Sequence, residues 1–402
     1  MSKKEEPIWK TYIDFQETYS TIYGEKTICF MQVGSFYEIY SLTNTGYIKN
    51  VCEIMDAKLS SKNITDMQSG VNPFMAGVPD HGVKKFLDRL IAEDYTIVII
   101  DQIGEKNSKG KYEKRAVTKI LTKANIDIFF EINNSNSNSN SNTNDNSNIL
   151  SLYIEEEKAF NGKIVLSIGM SIIDISTGIN HIYEINSSQY EIFEEMYRFI
   201  ETYNPVEIVI HTVNLKMYSE NEILSKINTV GRKYYYNFYN QSKTNVFYKL
   251  SYKEEFLKKI FKNNSLLNIF EHLNLQKYQY ALNSYIILLQ FAYEHEIHII
   301  NKIRKPEIFE NKKHLNLYHN ALYQLDVVPS QITAKNMKNT LNSKYQSLFD
   351  VINNTSTAFG RRELRERLLN PITDVNELRN RYKMVEIMQS HVDKYENYLK
   401  NI

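Results

Sequence analysis

An aromatic ring and a carboxylate stand two residues apart in Phe36-Tyr37-Glu38, directly after Gly34-Ser35. In an extended backbone alternate side chains share a face, so the Phe36 ring and the Glu38 carboxylate would lie together beside a glycine. Such a pair suits the probing of a base in a duplex, because a ring can wedge into the stack from the minor groove and a carboxylate can hydrogen-bond the displaced base. Stacking a base on an aromatic ring contributes about 1–3 kcal/mol and tolerates any base. A core phenylalanine beside a surface glutamate is the simpler interpretation of the same triplet.

The residues around this triplet predict the elements that hold it. The run from Ile28 to Val33 is apolar except for Gln32, which is typical of a buried strand. Gly34-Ser35 interrupts the run and suits a bulge or a close approach of two backbones. Upstream, apolar residues recur at a spacing of 3.6 over residues 9–23 and predict a helix.

Downstream, the sequence predicts a turn, a helix and a second buried strand. Gly77-Val78-Pro79-Asp80 has the composition of a turn, and Asp80 is placed to act as the N-cap of a helix from His81 to about Glu93. The run from Tyr95 to Asp101 is apolar almost throughout, as in the centre of a mixed sheet. An N-terminal domain of α/β type is therefore expected.

Basic residues that can contact phosphates occur in two polar segments. One is DAKLSSKN at 56–63, and the other spans residues 101–123, where seven basic residues stand against three acidic ones. Phosphate contacts position a duplex but do not read its sequence. A solvated surface loop explains either segment equally well. The candidate contacts to the DNA backbone are Lys58, Lys62, Lys106, Lys109, Lys111, Lys114 and Arg115.

Three separate pieces of the chain resemble one protein family. They are GSFYEIY at 34–40, PFMAGVPDHGVKKFLDRLIAEDYTIVIIDQIGE at 73–105 and EKRAVTKILT at 113–122. Their order and spacing resemble the N-terminal mismatch-recognition domain of the MutS family. The resemblance implies that Phe36 stacks on a mismatched base and that Glu38 hydrogen-bonds it. Ser35 departs from the family, in which this position is usually acidic, but the departure leaves the Phe36/Glu38 pair in place.

The resemblance also implies an α/β multidomain architecture. We expect a mixed-sheet mismatch-recognition domain over 1–130, an Asn/Ser low-complexity linker over 131–149, an RNase H-like connector domain over 150–275, and part of the α-helical core and lever domain over 276–402. The linker cannot bury enough apolar surface to fold. Within the connector, an Asp-Ile-Ser-Thr-Gly turn between two strands predicts a hairpin, which a helix and a further strand follow.

Two other functions compete with mismatch binding. Nucleases of the RNase H type gather carboxylates around two metal ions, and Asp174 with Glu194 or Glu195 can imitate that set. Asp174, however, is predicted at the hairpin turn. A DNA-independent interaction module that uses the connector is the second alternative.

The C-terminal part is predicted to be helical, with one segment over 278–303 buried among other helices. A helix is predicted to begin at Thr355-Ser356-Thr357 and to end at Asn370-Pro371, and Asp374 is placed to cap the next helix. The first of these carries four arginines that suit either a charged helix face or a contact with DNA or another domain: Arg361, Arg362, Arg365 and Arg367.

The phosphate-binding pattern G-x-x-x-x-G-K-[ST] does not occur in the 402 residues. We therefore expect no enzymatic activity and no cofactor from the chain as it stands. The family is a DNA-dependent ATPase, and the resemblance implies that ATP and Mg²⁺ belong to a full-length member, with the clamp and ATPase further along. No group of metal ligands accompanies Cys29 and Cys52, whose presence fits a reducing compartment.

The partners that the resemblance implies are double-stranded DNA with mismatches or small loops, a second copy of the chain in the full-length form, and a mismatch-repair protein bound through the connector. A net charge of +1 gives no global attraction to DNA, so contacts must come from local patches. We expect a soluble, intracellular protein that does not engage a membrane, because no secretory signal and no apolar run of about 20 residues is found.

Overall fold

The computed structural model describes residues 7–61, 73–106, 112–126, 147–158, 164–187, 189–227, 232–261, 267–295, 302–309, 319–328, 347–355 and 357–391, with single positions at 162, 229, 315 and 317. Lys62, Lys109, Lys111 and most of the Asn/Ser stretch lie outside these residues. The chain divides into two compact units. The first unit comprises residues 1–147, 175–178 and 289–303, and the second comprises 148–174, 179–288 and 304–402.

The first unit is built on a six-stranded mixed sheet with the order β3-β4-β2-β1-β5-β6. Its strands are β1 (Thr27–Val33), β2 (Phe36–Ser41), β3 (Ser60–Ser61), β4 (Phe74–Pro79), β5 (Thr96–Lys106) and β6 (Tyr112–Leu121), and its helices are α1 (Ile8–Tyr23), α2 (Tyr47–Met55) and α3 (Val83–Ala92). The central pair β1 and β5 is parallel, and the other neighbours are antiparallel. The predicted strands and the predicted N-terminal helix are confirmed.

The break at Gly34-Ser35, which suits a bulge or a close approach of two backbones, is a tight turn. Val33 pairs directly with Phe36, so the two residues between them form the loop of a hairpin between β1 and β2. Gly34 has φ +64°, a left-handed conformation that glycine adopts at no steric cost. The turn therefore sets Phe36 as the first residue of β2.

The predicted turn at Gly77-Val78-Pro79 is wrong, because these residues end strand β4 and pair with β2. Among the residues that the structure describes, β3 pairs with β4 only at Phe74 and Met75. No described strand lies beside the last residues of β4 on that side, and proline is tolerated at such an edge. Asp80 does not act as the predicted N-cap. It begins a short 3-10 turn, Asp80–Gly82, and no side chain caps either this turn or α3.

Helix α1 lies where β2 diverges from β1. The two strands pair at three positions only, from Met31 to Val33 on β1. Beyond them, the Tyr12 hydroxyl of α1 donates to the Cys29 carbonyl at 3.0 Å, and the Gln16 side chain bonds the backbone of Thr27 and Cys29. Buried backbone groups need partners, and here helical side chains supply them.

The second unit holds another six-stranded mixed sheet, with the order β11-β10-β7-β8-β9-β12. Its strands are β7 (Asn148–Lys158), β8 (Ile164–Asp174), β9 (Asn180–Ser187), β10 (Glu207–Val213), β11 (Lys233–Tyr236) and β12 (Glu307–Ile308). β7, β8 and β9 form an antiparallel meander, while β10 and β11 run parallel to β7. The helix α4 (Gln189–Tyr203) follows β9, as predicted.

Further helices of this part are α5 (Glu220–Ile227), α6 (Gln241–Phe247), α7 (Leu250–Ile260), α8 (Ile269–His272) and α9 (Gln279–His295), of which residues 279–288 belong to the second unit. The start of α9 lies against β8 at Gly169, where a Cβ would be 2.0 Å from the Tyr280 carbonyl oxygen. Glu184 accepts from the backbone N–H groups of Tyr280 and Ala281 at 2.8 and 3.0 Å. The Glu184 carboxylate therefore caps the start of α9, and α9 can approach β8 this closely because Gly169 has no side chain.

The C-terminal helices are α10 (His319–Gln324), α11 (Leu348–Ile352), α12 (Ala358–Leu369) and α13 (Val375–Ser390). Thr357 caps α12 by accepting from the Gly360 N–H at 3.1 Å, and Asp374 caps α13, as predicted. Arg365 is half-buried, whereas Arg361 and Arg367 on the same helix are exposed. Burial lowers the pKa of the Arg365 guanidinium, and the negative charge of nearby Glu201 acts in the opposite sense.

None of the helices within the described ranges is long and apolar enough to cross a bilayer.

Candidate nucleic-acid interface

Phe36 opens β2 at the tip of the β1–β2 hairpin, with Val33 opposite it on β1 and Pro79 on β4. Its side chain is 47% exposed, whereas Phe30 in the middle of β1 is 1% exposed. A large apolar ring that the sheet holds at its rim without covering it is available for a partner surface. The interpretation of Phe36 as a core residue does not fit this exposure.

Glu38 lies two residues further along β2, on the same face as Phe36, and is half-buried. Its neighbours across the sheet are Met31 on β1 and Gly77 on β4. A Cβ at position 77 would be 3.4 Å from the Glu38 Cγ, so the glycine leaves room on that side of the glutamate. The carboxylate itself accepts a hydrogen bond from the Tyr40 hydroxyl through Oε2.

Tyr40 is the third residue of β2 on this face, and its side chain is completely buried. Burial raises the pKa of Tyr40 far above its ordinary value, and the hydrogen bond to Glu38 together with the charge of that carboxylate raises it further. The positive charge of Arg115 acts in the opposite sense. The phenol is thus a hydrogen-bond donor at any ordinary pH.

Arg115 lies on the same face of the sheet as the Phe36 ring. It stands opposite Gln102 on β5, and its Nε donates to the Gln32 carbonyl on β1 at 3.4 Å. The side chain therefore crosses β5 and brings a positive charge toward the Glu38 carboxylate. Of the predicted basic residues that the structure describes, Arg115 is the one that lies on the face of the ring and the carboxylate.

The other basic candidates lie elsewhere. Lys114 is exposed opposite Ile103 and occupies the other face, because neighbouring residues of a strand alternate. Lys58 is exposed between α2 and β3, and Lys106 is the last residue of β5. Lys62, Lys109 and Lys111 lie outside the described residues.

On the opposite face of β2, hydrogen bonds between side chains link β2, β5 and β6. The Tyr37 hydroxyl donates to Asp101 Oδ1 on β5 at 2.8 Å, and the Thr118 hydroxyl on β6 donates to Asp101 Oδ2 at 2.5 Å. Burial raises the pKa of Tyr37 well above its usual value, and the bond to Asp101 raises it further. Side chains on this face hold β2 in position while the other face presents the ring.

Sequence reasoning missed Tyr40 and Gly77. The period of two that pairs Phe36 with Glu38 also reaches Tyr40, which was a readable signal. Gly77 was assigned to a turn, so its place opposite Glu38 could not be foreseen.

The acidic residues of the nuclease alternative do not form a visible metal site. Asp174 ends β8, and Glu195 on α4 accepts a hydrogen bond from Tyr183. Within the part of the chain that the structure describes, no group of three or more His, Cys, Asp or Glu residues is placed to hold a metal ion.

Two family models match the chain. The model of MutS domain I matches residues 6–128, and the model of MutS domain III matches residues 313–402. The two together span more than half of the sequence, and the first contains every residue of the Phe36 face. The chain belongs to the MutS family.

Relatives in this family align along almost the whole chain. A putative DNA mismatch repair protein, a mutS homolog of Acanthamoeba polyphaga mimivirus, is 32% identical over 434 residues, which is 99% of this chain and 36% of the relative. The DNA mismatch repair protein MutS of Petrotoga mobilis is 25% identical and aligns with 94% of this chain and 38% of its own length. That of Clostridium botulinum is 24% identical, with 98% and 36% aligned. This MutS-family chain thus spans little more than a third of the length of these relatives.

Proposed function

We propose that this chain binds mismatched double-stranded DNA in DNA mismatch repair, with Phe36 as a wedge that stacks on the mispaired base and Glu38 as its hydrogen-bond partner. The observation that carries the proposal is the exposed Phe36 ring at the hairpin tip, on one face with the Glu38 carboxylate. The names of the relatives, which are mismatch repair proteins, support the same class of ligand.

Selectivity in this proposal comes from the deformability of the duplex. A mispaired step unstacks and kinks at a lower cost than a paired step, so a wedge enters it more readily. A carboxylate that is pressed against an intact duplex loses hydration without gaining a partner. The ring thus strengthens binding to a mismatched duplex, while the carboxylate weakens binding to a matched one.

Contacts to the DNA backbone are a separate part of the proposal. Arg115 shares the face of Phe36, and Lys58, Lys106 and Lys114 supply further positive charge from the same unit. Lys62, Lys109 and Lys111 complete the proposed set. These contacts would give salt-dependent affinity for any duplex, since phosphates carry no sequence information.

The domain boundaries expected from the sequence are also part of the proposal. The sheet order of the second unit, an antiparallel meander followed by two parallel strands, supports an RNase H-like connector over 150–275. We assign no ATP hydrolysis to these 402 residues, because they lack the phosphate-binding motif. A homodimer of the full-length protein and a repair partner at the connector remain proposals from the family.

Fluorescence anisotropy with a G·T duplex and its matched control, at one fixed salt concentration, tests the proposal. Phe36→Ala should weaken mismatch binding by about 1–3 kcal/mol and leave matched-duplex binding nearly unchanged. Glu38→Ala should instead raise the affinity for the matched duplex, because it deletes a negative charge near the backbone.

Leu42→Ala is the control, because Leu42 is a similarly exposed apolar residue just beyond β2 and is 52% exposed. It should leave the ratio of mismatch to matched affinity unchanged. If Phe36→Ala and Leu42→Ala behave alike, or if the chain shows no affinity for DNA, the proposed function is wrong.

A further inference from the structure

The Tyr40 hydroxyl contacts the carboxylate that we assign to base recognition. Glu38 and Tyr40 are two residues apart on β2, and the phenol donates to Oε2 across this short distance. A half-buried glutamate side chain can still adopt several rotamers, and a fixed hydrogen-bond donor restricts that choice. The orientation of the Glu38 carboxylate is therefore tied to the position of the Tyr40 ring.

The Tyr40 ring is held from two sides. It is completely buried, and its centroid lies 5.4 Å from that of Tyr12 in an edge-to-face arrangement. Tyr12 is itself fixed by the hydrogen bond from its hydroxyl to the Cys29 carbonyl. The Tyr47 hydroxyl of α2 donates to the Tyr40 carbonyl and fixes the backbone as well. Because the Tyr40 hydroxyl is held in place, it fixes the orientation of the Glu38 carboxylate, and the carboxylate does not reorient the hydroxyl.

The hydrogen bond also determines what kind of ligand Glu38 can take. An ionised carboxylate accepts only, and its two oxygens offer about four acceptor positions, so one phenol does not exhaust it. Gly77, on the other side of Glu38, leaves space that any larger residue would reduce. A carboxylate presented in this way recognises a hydrogen-bond donor, and on a displaced base the donors are its ring N–H and amino groups.

We propose that Tyr40 is a positioning residue that orients Glu38 as a hydrogen-bond acceptor toward an N–H group of the displaced base. The role rests on the proposed function, because it acts only through Glu38. Tyr40 itself touches no DNA in this scheme, since its ring is buried in the core of the first unit.

A double-mutant cycle on the full chain tests the role. Tyr40→Phe should lower the ratio of mismatch to matched affinity about fivefold, the factor that corresponds to one ordinary hydrogen bond. The same substitution in a Glu38→Ala background should not change the ratio further. A merely structural effect of Tyr40→Phe would lower the ratio by the same factor in both backgrounds, and that result would overturn the proposal.

Tyr153→Phe is the matched control, because Tyr153 is also buried and its hydroxyl donates to a glutamate two residues away on a strand, Glu155, but in the second unit. It should leave the ratio unchanged, and thermal melting shows whether each variant folds. If Phe36→Ala lowers the ratio and Tyr40→Phe does not, the role of Tyr40 is refuted and the proposed function stands. If Phe36→Ala also has no effect, the proposed function fails first.

Discussion

The Gln16 side chain takes the place of a strand beside Cys29. Its Oε1 accepts from the Cys29 N–H at 2.8 Å, and its Nε2 donates to the Thr27 carbonyl at 2.8 Å. β2 has left β1 at this point, so a single amide on α1 satisfies backbone groups that the sheet does not. The arrangement fixes α1 beneath the buried end of β2, where Tyr12 meets Tyr40.

We expect Gln16→Leu to lower the free energy of unfolding by about 2–6 kcal/mol, because two buried backbone groups lose their partners at about 1–3 kcal/mol each. Urea denaturation measures the change. Gln16→Glu keeps the acceptor for Cys29 but loses the donor for Thr27, and it should also destabilise the protein. Thr21→Ala on the exposed side of α1 is the control, and an equal loss in that variant would contradict the assigned role.

A second prediction separates stability from binding at Gly77. Gly77→Ala should leave the free energy of unfolding unchanged or raise it by up to about 1 kcal/mol, because alanine suits a strand interior better than glycine. The added methyl group would fill the space beside the Glu38 Cγ, at an ordinary contact distance of 3.4 Å, and limit the positions open to the carboxylate. The ratio of mismatch to matched affinity should therefore fall, as anisotropy would show. An unchanged ratio would mean that the space beside Glu38 is not used.

The close approach of α9 to β8 gives a third prediction. A Cβ at position 169 would lie 2.0 Å from the Tyr280 oxygen and 2.5 Å from the Ala281 nitrogen, both of them backbone atoms. Gly169→Ala should cost about 3 kcal/mol of stability, since the helix must move off the sheet. Gly82→Ala is the matched control, because its new Cβ would meet nothing nearer than Pro79 at 3.8 Å. Denaturation midpoints that shift equally in both variants would contradict this packing.

A fourth prediction concerns pH and His211, which faces Tyr153 from the neighbouring strand and stacks on it at 6.0 Å. Burial lowers the pKa of His211 to about 4. Between pH 6.5 and 4 the unfolded chain binds this proton and the folded chain does not. The free energy of unfolding therefore decreases as the pH is lowered through that window, by up to about 3 kcal/mol at pH 4.

His211→Phe should keep the stacking and remove this part of the pH dependence. The readout is the difference in unfolding free energy between wild type and variant at pH 7.5, 6, 5 and 4.5. His391→Gln, at an exposed position, is the control. A difference that stays constant with pH would show that His211 does not titrate as inferred.

Much of the fold was predictable, because local pattern and tertiary structure agree for the long elements. The apolar runs that became β1 and β5 and the caps at Thr357 and Asp374 depend on neighbouring residues only. Gly77 and Pro79 misled the prediction, because both favour turns. They are tolerated in β4 because no strand of the described ranges pairs with this stretch on the side of the two-residue β3.

The candidate site was predictable in part for the same reason. Phe36 and Glu38 follow from the alternation within one strand. The surroundings of Glu38 do not, because they depend on Tyr12 from α1 and on Gly77 from β4, which are distant in sequence. Arg115 was predicted as one of several surface cations, and only the register of β5 and β6 brings it to the face of Phe36.

The two-residue turn at Gly34-Ser35 also limits how this gene can vary in length. The turn joins Val33 to Phe36 without a spare residue, and the side chains of a strand alternate strictly. The insertion or loss of one codon in the turn would therefore turn β2 over. Tyr37 would then point where Phe36 points, and Glu38 would lie on the face where Tyr37 now donates a hydrogen bond to Asp101. A substitution near the tip changes one side chain on the face of Phe36 and Glu38. A one-codon insertion or deletion would instead put Tyr37 on that face and move Glu38 to the other.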